Sequence, residues 1–351
     1  MATAIRENSG DLRSHAVNRA VYHVVSGLRA SPVFALLVRR LFHAVPVVFG
    51  VSFLTFSLMN LLPGDAATAM AGTYASKTQL ADMEARLHLN LPFFDRYIHW
   101  LGSALMGQLG SSFASGTQVT TIIAQRLPVT LELVVGAVLI STIISIPVAL
   151  LAARHPHGVV DRVNILISMF GYAVPNFVLG LLLVLVFAVK LHLAPAIGFV
   201  PLSSSLWGNI HSMLLPCCAL GFAHFCGYTR ILRADLVDQL EGREYIVAAR
   251  SKGLKESRIL YVHALRNSLF NLLTVIGLNL GAAIGGTVIL ETIFALPGMG
   301  QELIQSIANR DIPVVEGEVV VIACAVVAAN LLVDILYVVL DPRIRHGRSV
   351  N

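Results

Sequence analysis

Charged side chains are scarce in this sequence. Asp, Glu, Lys and Arg make up 13% of the 351 residues, and hydrophobic residues make up 56%. Soluble domains carry about 25% charged residues, so the composition excludes an ordinary soluble protein and indicates a chain surrounded by lipid. Because lipid cannot satisfy backbone N–H and C=O groups, each apolar run of about 20 residues is predicted to be a membrane-spanning helix.

The sequence also lacks the short motifs of common nucleotide-binding and catalytic sites. A phosphate-binding loop requires a Gly-Lys pair, and the lysines of this chain follow Ser76, Val189, Ser251 and Leu254 instead. No G-x-S-x-G, H-E-x-x-H or C-x-x-C motif occurs. We therefore predict that this chain has no catalytic residues and does not bind ATP.

Cysteine is also scarce, with only four residues in the chain. All four lie inside apolar runs, which is not the pattern of a disulfide framework. One run contains His211, Cys217, Cys218, His224 and Cys226, but their spacing is not that of metal ligands. We predict packed thiols and no metal site.

Long apolar runs are the main positive feature of the sequence. Six of them are predicted as membrane spans, at about 41–62, 128–153, 164–189, 212–234, 268–290 and 319–340. An even number of spans places both termini on one side. Nineteen of the 25 Lys and Arg residues then fall on that side, and six on the other. Since cytoplasmic loops retain positive charge, we expect both termini in the cytoplasm.

This asymmetry also explains the isoelectric point of about 9.2 without a nucleic-acid partner. We divide the chain into a cytoplasmic extension at 1–34, a transmembrane domain at 35–346 and a tail at 347–351. Two loops of the transmembrane domain are large. The segment 63–127 is predicted to form an extracytoplasmic subdomain of short helices, and the basic segment 235–267 lies in the cytoplasm.

Two carboxylates fall inside the predicted spans, and each has two possible roles. Glu132 lies near the outer end of the second span, and Asp334 lies in the last one. An intramembrane carboxylate indicates a proton relay by default. Both positions are close to helix ends, where a neighbouring polar group can satisfy them, which favours structural pairing.

The basic segment 235–267 gives the most specific functional signal. A helix is predicted from Arg243 to Lys252, with Gly253 as its stop. Ala249 and Gly253 are four residues apart and would form a small-residue face that fits into a groove of a partner. Asn267 is predicted to cap the following span. An ordinary solvated loop explains the charge but not this order of small residues, polar residues and cap.

These residues resemble the EAA motif, E-A-A-x-x-x-G, of permease subunits in bacterial ABC importers. The motif reads Val247-Ala248-Ala249 and then Gly253, with Val247 in place of the glutamate. The form Tyr-x-x-x-Ala-Arg-x-Lys-Gly, from Tyr245 to Gly253, is similar to the dipeptide, oligopeptide and nickel branch of that family.

Further stretches of the chain resemble the same branch in the same order. They are Leu62-Pro63-Gly64-Asp65, Gly107-Gln108-Leu109-Gly110-Ser111-Ser112, Leu127-Pro128-Val129-Thr130-Leu131-Glu132-Leu133, Pro175-Asn176-Phe177, Leu296-Pro297-Gly298-Met299-Gly300, Asn309-Arg310-Asp311-Ile312-Pro313 and Asp341-Pro342-Arg343-Ile344-Arg345. The resemblance covers Arg39 to Arg345 and is of the type of the first permease of a pair.

The resemblance implies an all-α membrane protein with six transmembrane helices in the type I ABC importer permease fold. It implies four kinds of neighbour in a bacterial cytoplasmic (inner) membrane: a homologous second permease, two ATP-binding subunits that carry ATP and Mg²⁺, an extracytoplasmic solute-binding protein, and lipid. Peptides are the favoured solute. Nickel or another small solute stays open, and an ion-coupled secondary transporter, which would need inverted repeats, is less favoured.

The resemblance also implies two sets of site residues. The residues expected to couple this chain to the ATPase are Glu244, Tyr245, Ala248, Ala249, Arg250, Lys252, Gly253, His263, Arg266 and Asn267. The residues expected to form an outer gate or to contact the binding protein are Pro63, Gly64, Asp65, Pro297, Gly298, Gly300, Arg310 and Asp311.

Overall fold

The computed structural model describes residues 32–61 and 91–340, and the regular secondary structure of these residues is helical. The helices are α1 Pro32–Leu61, α2 Phe93–Leu105, α3 Val119–Arg154, α4 Val159–Ala173, α5 Asn176–Leu183, α6 Leu206–Gly242, α7 Glu244–Ser251, α8 Glu256–Arg258, α9 Leu265–Ile293, α10 Met299–Ala308 and α11 Ile312–Leu340. Two π-helical turns, Val184–Lys190 and Ile259–Ala264, extend α5 and join α8 to α9. The gate residues Pro63, Gly64 and Asp65, the motif 341–345, the tail 347–351 and most of the extension 1–34 lie outside the described residues.

Five helices are long and apolar enough to cross a membrane, and a bent pair is a sixth candidate. The five are Val38–Leu61, Val119–Arg154, Leu206–Gly242, Glu256–Ile293 and Ile312–Leu336. They coincide with the predicted first, second, fourth, fifth and sixth spans to within a few residues at the ends. The prediction of an all-α membrane protein is confirmed.

The predicted third span, 164–189, is not one straight helix. Helix α4 ends at Ala173 and α5 begins at Asn176, with an angle of 106° between the two halves. Pro175 causes the break, because proline disfavours helical backbone at the residue before it. Val174 is accordingly extended, with φ −92° and ψ 120°.

Both large loops are shorter than predicted, because the helices continue beyond the apolar runs. Helix α3 already begins at Val119, so the last part of the predicted subdomain 63–127 belongs to a long helix. Helix α6 continues to Gly242, and the helical stretch that ends at Ile293 begins at Glu256. The ends of these helices are polar, so they did not belong to the apolar runs that defined the predicted spans.

Helices α3 and α6 form the most extensive helix pair of the described residues. Small residues let them approach closely, as expected for helices in lipid: a Cβ on Gly221 would lie 2.8 Å from the carbonyl oxygen of Ala137. The Cys217 thiol donates to the carbonyl of Leu133 at 3.7 Å. This cysteine is therefore a packing residue of the α3–α6 interface.

Helix α11 packs against α1, and one ion pair joins them. Arg40 donates to Asp334 at 2.8 Å, and its Nη2 donates to the other carboxylate oxygen at 2.9 Å. The Asp334 carboxylate is therefore engaged by a side chain of a neighbouring helix. Of the two roles considered for Asp334, the structure supports structural pairing.

Candidate functional site

The predicted coupling helix exists as α7, Glu244–Ser251, and it has two distinct faces. Ile246 and Ala249 point inward and are 0% and 7% exposed. They pack in an apolar cluster with residues of α3, α6, the second π turn and α9. The opposite face is exposed and consists of Glu244, Val247, Ala248, Ser251 and Lys252. Positions three and four apart lie on one side of a helix, so these five form a continuous surface that no described residue covers.

A Schellman motif ends α7 at Gly253. The N–H of Gly253 donates to the carbonyl of Arg250 at 2.9 Å, and the N–H of Leu254 donates to that of Ala249 at 3.2 Å. This geometry needs a left-handed residue after the helix, and Gly253 has φ +74°. The prediction that Gly253 stops this helix is confirmed.

Polar side chains tie α7 to the elements before and after it. Arg250 donates to both carboxylate oxygens of Glu256, at 2.7 and 3.1 Å, and to the carbonyl of Leu240 at 3.2 Å. The hydrogen bond to Glu256 raises the pKa of the Arg250 guanidinium, so the pair stays charged. Tyr245 donates its hydroxyl hydrogen to Gln239 at 2.7 Å. Arg250 and Tyr245 therefore hold the loop in shape.

The structure corrects two details of the predicted coupling segment. Ala249 does not share an exposed face with Gly253, because its side chain is buried against its own chain. Asn267 does not cap a span, because it lies inside α9, which continues the π turn Ile259–Ala264 without a break. His263 lies half-buried in that π turn, and Arg266 is exposed on the first turn of α9.

The predicted gate residues Pro297, Gly298 and Gly300 lie at the opposite end of α9, around the buried carboxylate of Glu291. Thr130 of α3 donates to Glu291 Oε1 at 2.7 Å, and the N–H groups of Gly300 and Gln301 donate to Oε2 at 2.7 and 3.1 Å. A carboxylate at a helix N-terminus is stabilised by the free N–H groups and by the helix dipole. Glu291 thus fixes the start of α10 against α9 and α3.

Both glycines of this turn are required by close approach. A Cβ on Gly298 would lie 2.4 Å from the carboxyl carbon of Glu291, and one on Gly300 would lie 2.5 Å from the Cα of Val288. The Thr130 hydroxyl also accepts the N–H of Met299, at 2.9 Å. The L-P-G-M-G turn and the T-L-E-L stretch are therefore two halves of one contact, the Glu291 clamp.

The predicted gate residue Asp311 forms a second clamp. Its carboxylate accepts hydrogen bonds from the Ser112 hydroxyl, from the N–H of Phe113 at 2.9 Å and from the N–H of Ala114 at 3.3 Å. Asp311 is only 3% exposed. It joins the G-Q-L-G-S-S stretch to the turn before α11. Arg310, at φ +56°, is exposed beside it.

Sequence reasoning missed three buried acids at the end of the molecule opposite α7. Glu291, Glu316 and Glu318 are 0%, 3% and 0% exposed. Glu316 and Glu318 lie on α11 just before the predicted sixth span, outside the apolar runs that defined the spans. A signal was present for Glu291, since it lies at the end of an apolar run and five residues before the L-P-G-M-G turn.

Comparison with known proteins agrees with this arrangement. Residues 145–346 match the family described as the inner membrane component of binding-protein-dependent transport systems. Residues 33–134 match the N-terminal part of the membrane components of such systems.

Two curated relatives cover almost the whole chain. The oligopeptide transport system permease protein AppB of Bacillus subtilis is 37% identical over 315 residues, which is 89% of this chain and 99% of the relative. The dipeptide transport system permease protein DppB of Escherichia coli is 35% identical over 336 residues, again 89% of this chain and 99% of the relative. The chain therefore belongs to the family of inner membrane components of binding-protein-dependent transport systems, and it is the membrane subunit of an ABC importer.

Proposed function

We propose that this chain is one of two permease subunits of a peptide importer in a bacterial cytoplasmic membrane. Its two relatives are named as oligopeptide and dipeptide permeases, and each is matched over almost its full length. This support comes from similarity rather than from the geometry of a solute site. Import of nickel or another small solute by the same machinery is the alternative.

The proposed assembly contains a homologous second permease, two ATP-binding subunits and an extracytoplasmic solute-binding protein. ATP and Mg²⁺ belong to the ATP-binding subunits, and this chain contributes no catalytic residue. Both of its termini lie in the cytoplasm, because nineteen of its 25 basic residues then fall on the cytoplasmic side. Under this orientation the coupling helix α7 faces the cytoplasm, and both clamps lie near the outer surface.

The structural observation that supports coupling to the ATP-binding subunits is that α7 has one buried and one exposed face. Its inner face is packed against α3, α6 and α9, so α7 moves with these helices. Its exposed face, which consists of Glu244, Val247, Ala248, Ser251 and Lys252, is available to a partner. When the ATP-binding subunits close, they push α7, and the attached helices turn as a rigid body between inward-open and outward-open arrangements. Hydrolysis resets the pathway.

The docking assignment is tested by placing bulk on the exposed face of α7. Ala248→Trp in the complete complex is expected to abolish co-purification of the ATP-binding subunits, while membrane insertion is retained. Leu105 is 74% exposed at the end of α2, far along the chain from α7. Leu105→Trp is therefore the matched control, and it is expected to leave co-purification intact.

The result separates docking from solute choice. Unchanged co-purification and ATPase stimulation in Ala248→Trp would show that α7 is not the docking element. The solute is tested by ATP-dependent uptake of radiolabelled di- and tripeptides into proteoliposomes that hold the complex and its binding protein. Uptake of nickel but not of peptides would replace the peptide proposal by its alternative.

A further inference from the structure

A cavity of about 540 Å³ opens beside the outer part of α3. Phe199, Pro201, Leu202 and Pro297 give it apolar walls. Gln125, Arg126 and Glu132 of α3 give it a polar side. The cavity adjoins the Glu291 clamp, because Pro297 belongs to the L-P-G-M-G turn. It is thus a mostly apolar pocket with a few converging polar groups, as small-molecule sites are.

The Glu132 carboxylate is held in place but incompletely paired. The side chain of Asn209 forms a hydrogen bond with it. Asn209 is itself 3% exposed and anchored by its donation to the carbonyl of Val200 at 2.9 Å. The second oxygen, Glu132 Oε1, is buried and has no hydrogen-bond partner within the described structure. A buried acceptor without a donor is costly, so a hydrogen bond from an incoming N–H donor would be favourable at this oxygen.

A guanidinium lies on the outer side of this carboxylate in the same pocket. Arg126 precedes Glu132 by six residues, which is about 9 Å along a helix. One of its nitrogens, Nη2, is bound to Glu302 at 2.7 Å. A guanidinium has five N–H donors, so further donors remain for a second acceptor. The amide of Gln125 lines the pocket next to it.

We propose that this pocket is a transient subsite for a short peptide with free termini, in which Glu132 accepts the peptide α-ammonium and Arg126 and Gln125 face its carboxylate. The separation of about 9 Å corresponds to two or three extended residues, at roughly 3.3–3.6 Å each. The apolar walls contact side chains without selecting among them. In this arrangement the amino end of the peptide lies closer to the middle of α3 than its carboxyl end. This subsite rests on the proposed peptide import and adds the chemical groups that the membrane path recognises.

The experiment uses the complete membrane complex in nanodiscs without its binding protein, so that selection by the binding protein does not enter. The probes are a radiolabelled tripeptide whose central residue carries a photoreactive group and the N-acetylated form of that peptide. In the wild type, half-maximal labelling of this chain should need at least about tenfold more acetylated than free peptide, since a hydrogen bond to a charged group is lost. Glu132→Gln should raise the requirement for free peptide to that of the acetylated form.

Two further variants keep the test decisive. Asp95 is an exposed carboxylate on α2 outside the pocket, so Asp95→Asn should leave labelling by both peptides unchanged. Ser203 is exposed at the rim of the cavity, and Ser203→Trp fills it without changing its charge. That variant should reduce labelling by both peptides, even if Glu132→Gln does not assemble.

Each outcome bears on one claim. Equal labelling of the wild type by both peptides, or unchanged labelling of Glu132→Gln, overturns the subsite. If the assembled transporter imports the free tripeptide in the same preparation, the proposed function then stands without the subsite. If the wild type with its binding protein imports no peptide, the proposed function fails and the subsite fails with it.

Discussion

Gly253 offers a direct test of why the coupling loop needs glycine. Its φ is +74°, and a Cβ at this position would have nothing within 4 Å. A side chain here therefore meets no steric obstacle within the described chain, and its cost comes from the backbone conformation. An L-residue in the left-handed region costs roughly 1–2 kcal/mol, and asparagine tolerates it better than alanine or a β-branched residue.

The expected order of coupling activity is Gly, then Asn, then Ala, then Val. A cost of one or two kcal/mol shifts the population of the ordered loop by a factor of about 5–30. The assay is binding-protein-stimulated ATP hydrolysis by the reconstituted complex, together with co-purification of the ATP-binding subunits. Gly242→Ala is the control, since a Cβ added at Gly242 would also meet open space, but its backbone is not left-handed. That change should have no adverse effect.

The order of Asn and Ala decides between two explanations. Asparagine is the larger side chain, so a docking surface that excludes bulk would tolerate alanine better. If Gly253→Ala retained more stimulation than Gly253→Asn, the backbone explanation would be refuted, and Gly253 would be a direct contact of the partner. Loss of stimulation in Gly242→Ala would show that the whole segment, not the Schellman motif, is sensitive to substitution.

Three further predictions concern the buried contacts. Thr130→Val removes a donor to Glu291 and the acceptor of the Met299 N–H, and thermal unfolding of the complex in nanodiscs should show a loss of about 1–3 kcal/mol. Asp311→Asn replaces one of the two carboxylate oxygens that accept backbone N–H groups. The loop at 110–118 should therefore become cleavable by added proteases. Protease resistance equal to that of the wild type would contradict the clamp. Ala249→Leu overpacks a buried site and should lower the unfolding temperature by an amount equivalent to about 1–3 kcal/mol, whereas Ala248→Leu on the exposed face should not.

The fold was predictable where it depends on local composition. Five of the predicted spans coincide with long helices of the structure, because an apolar run in lipid has no alternative to helix. The ends were not predictable, since α3 and α6 continue through polar residues that hydropathy does not register. The third span contained Pro175, a local breaker, but a proline inside a membrane helix is often tolerated and does not by itself indicate a break of 106°.

Helix α7 was predictable because it depends on local sequence. The two clamps were not, because they depend on contacts between distant parts of the chain. The start, length and glycine stop of α7 depend on about ten consecutive residues. The Glu291 clamp instead joins Thr130 to a carboxylate 161 positions later, and the Asp311 clamp joins residues 199 positions apart. In the sequence, the four stretches that form the two clamps are separate motifs. Nothing in their spacing indicates which motif contacts which. Only packing of α3 against α9 and α11 brings them together.

The helical stretch Glu256–Ile293 connects the segment around α7 to the Glu291 clamp. It begins beside the coupling helix, where Glu256 is bound by Arg250, and it ends at the Glu291 clamp. With 38 residues, it is about 55 Å long. Its only irregular part, the π turn Ile259–Ala264, lies next to α7, and π turns inside helices are frequent at functional sites. Under the proposed function, we expect a push on α7 to be transmitted along this helical stretch to the turn that borders the cavity beside α3, without a separate relay.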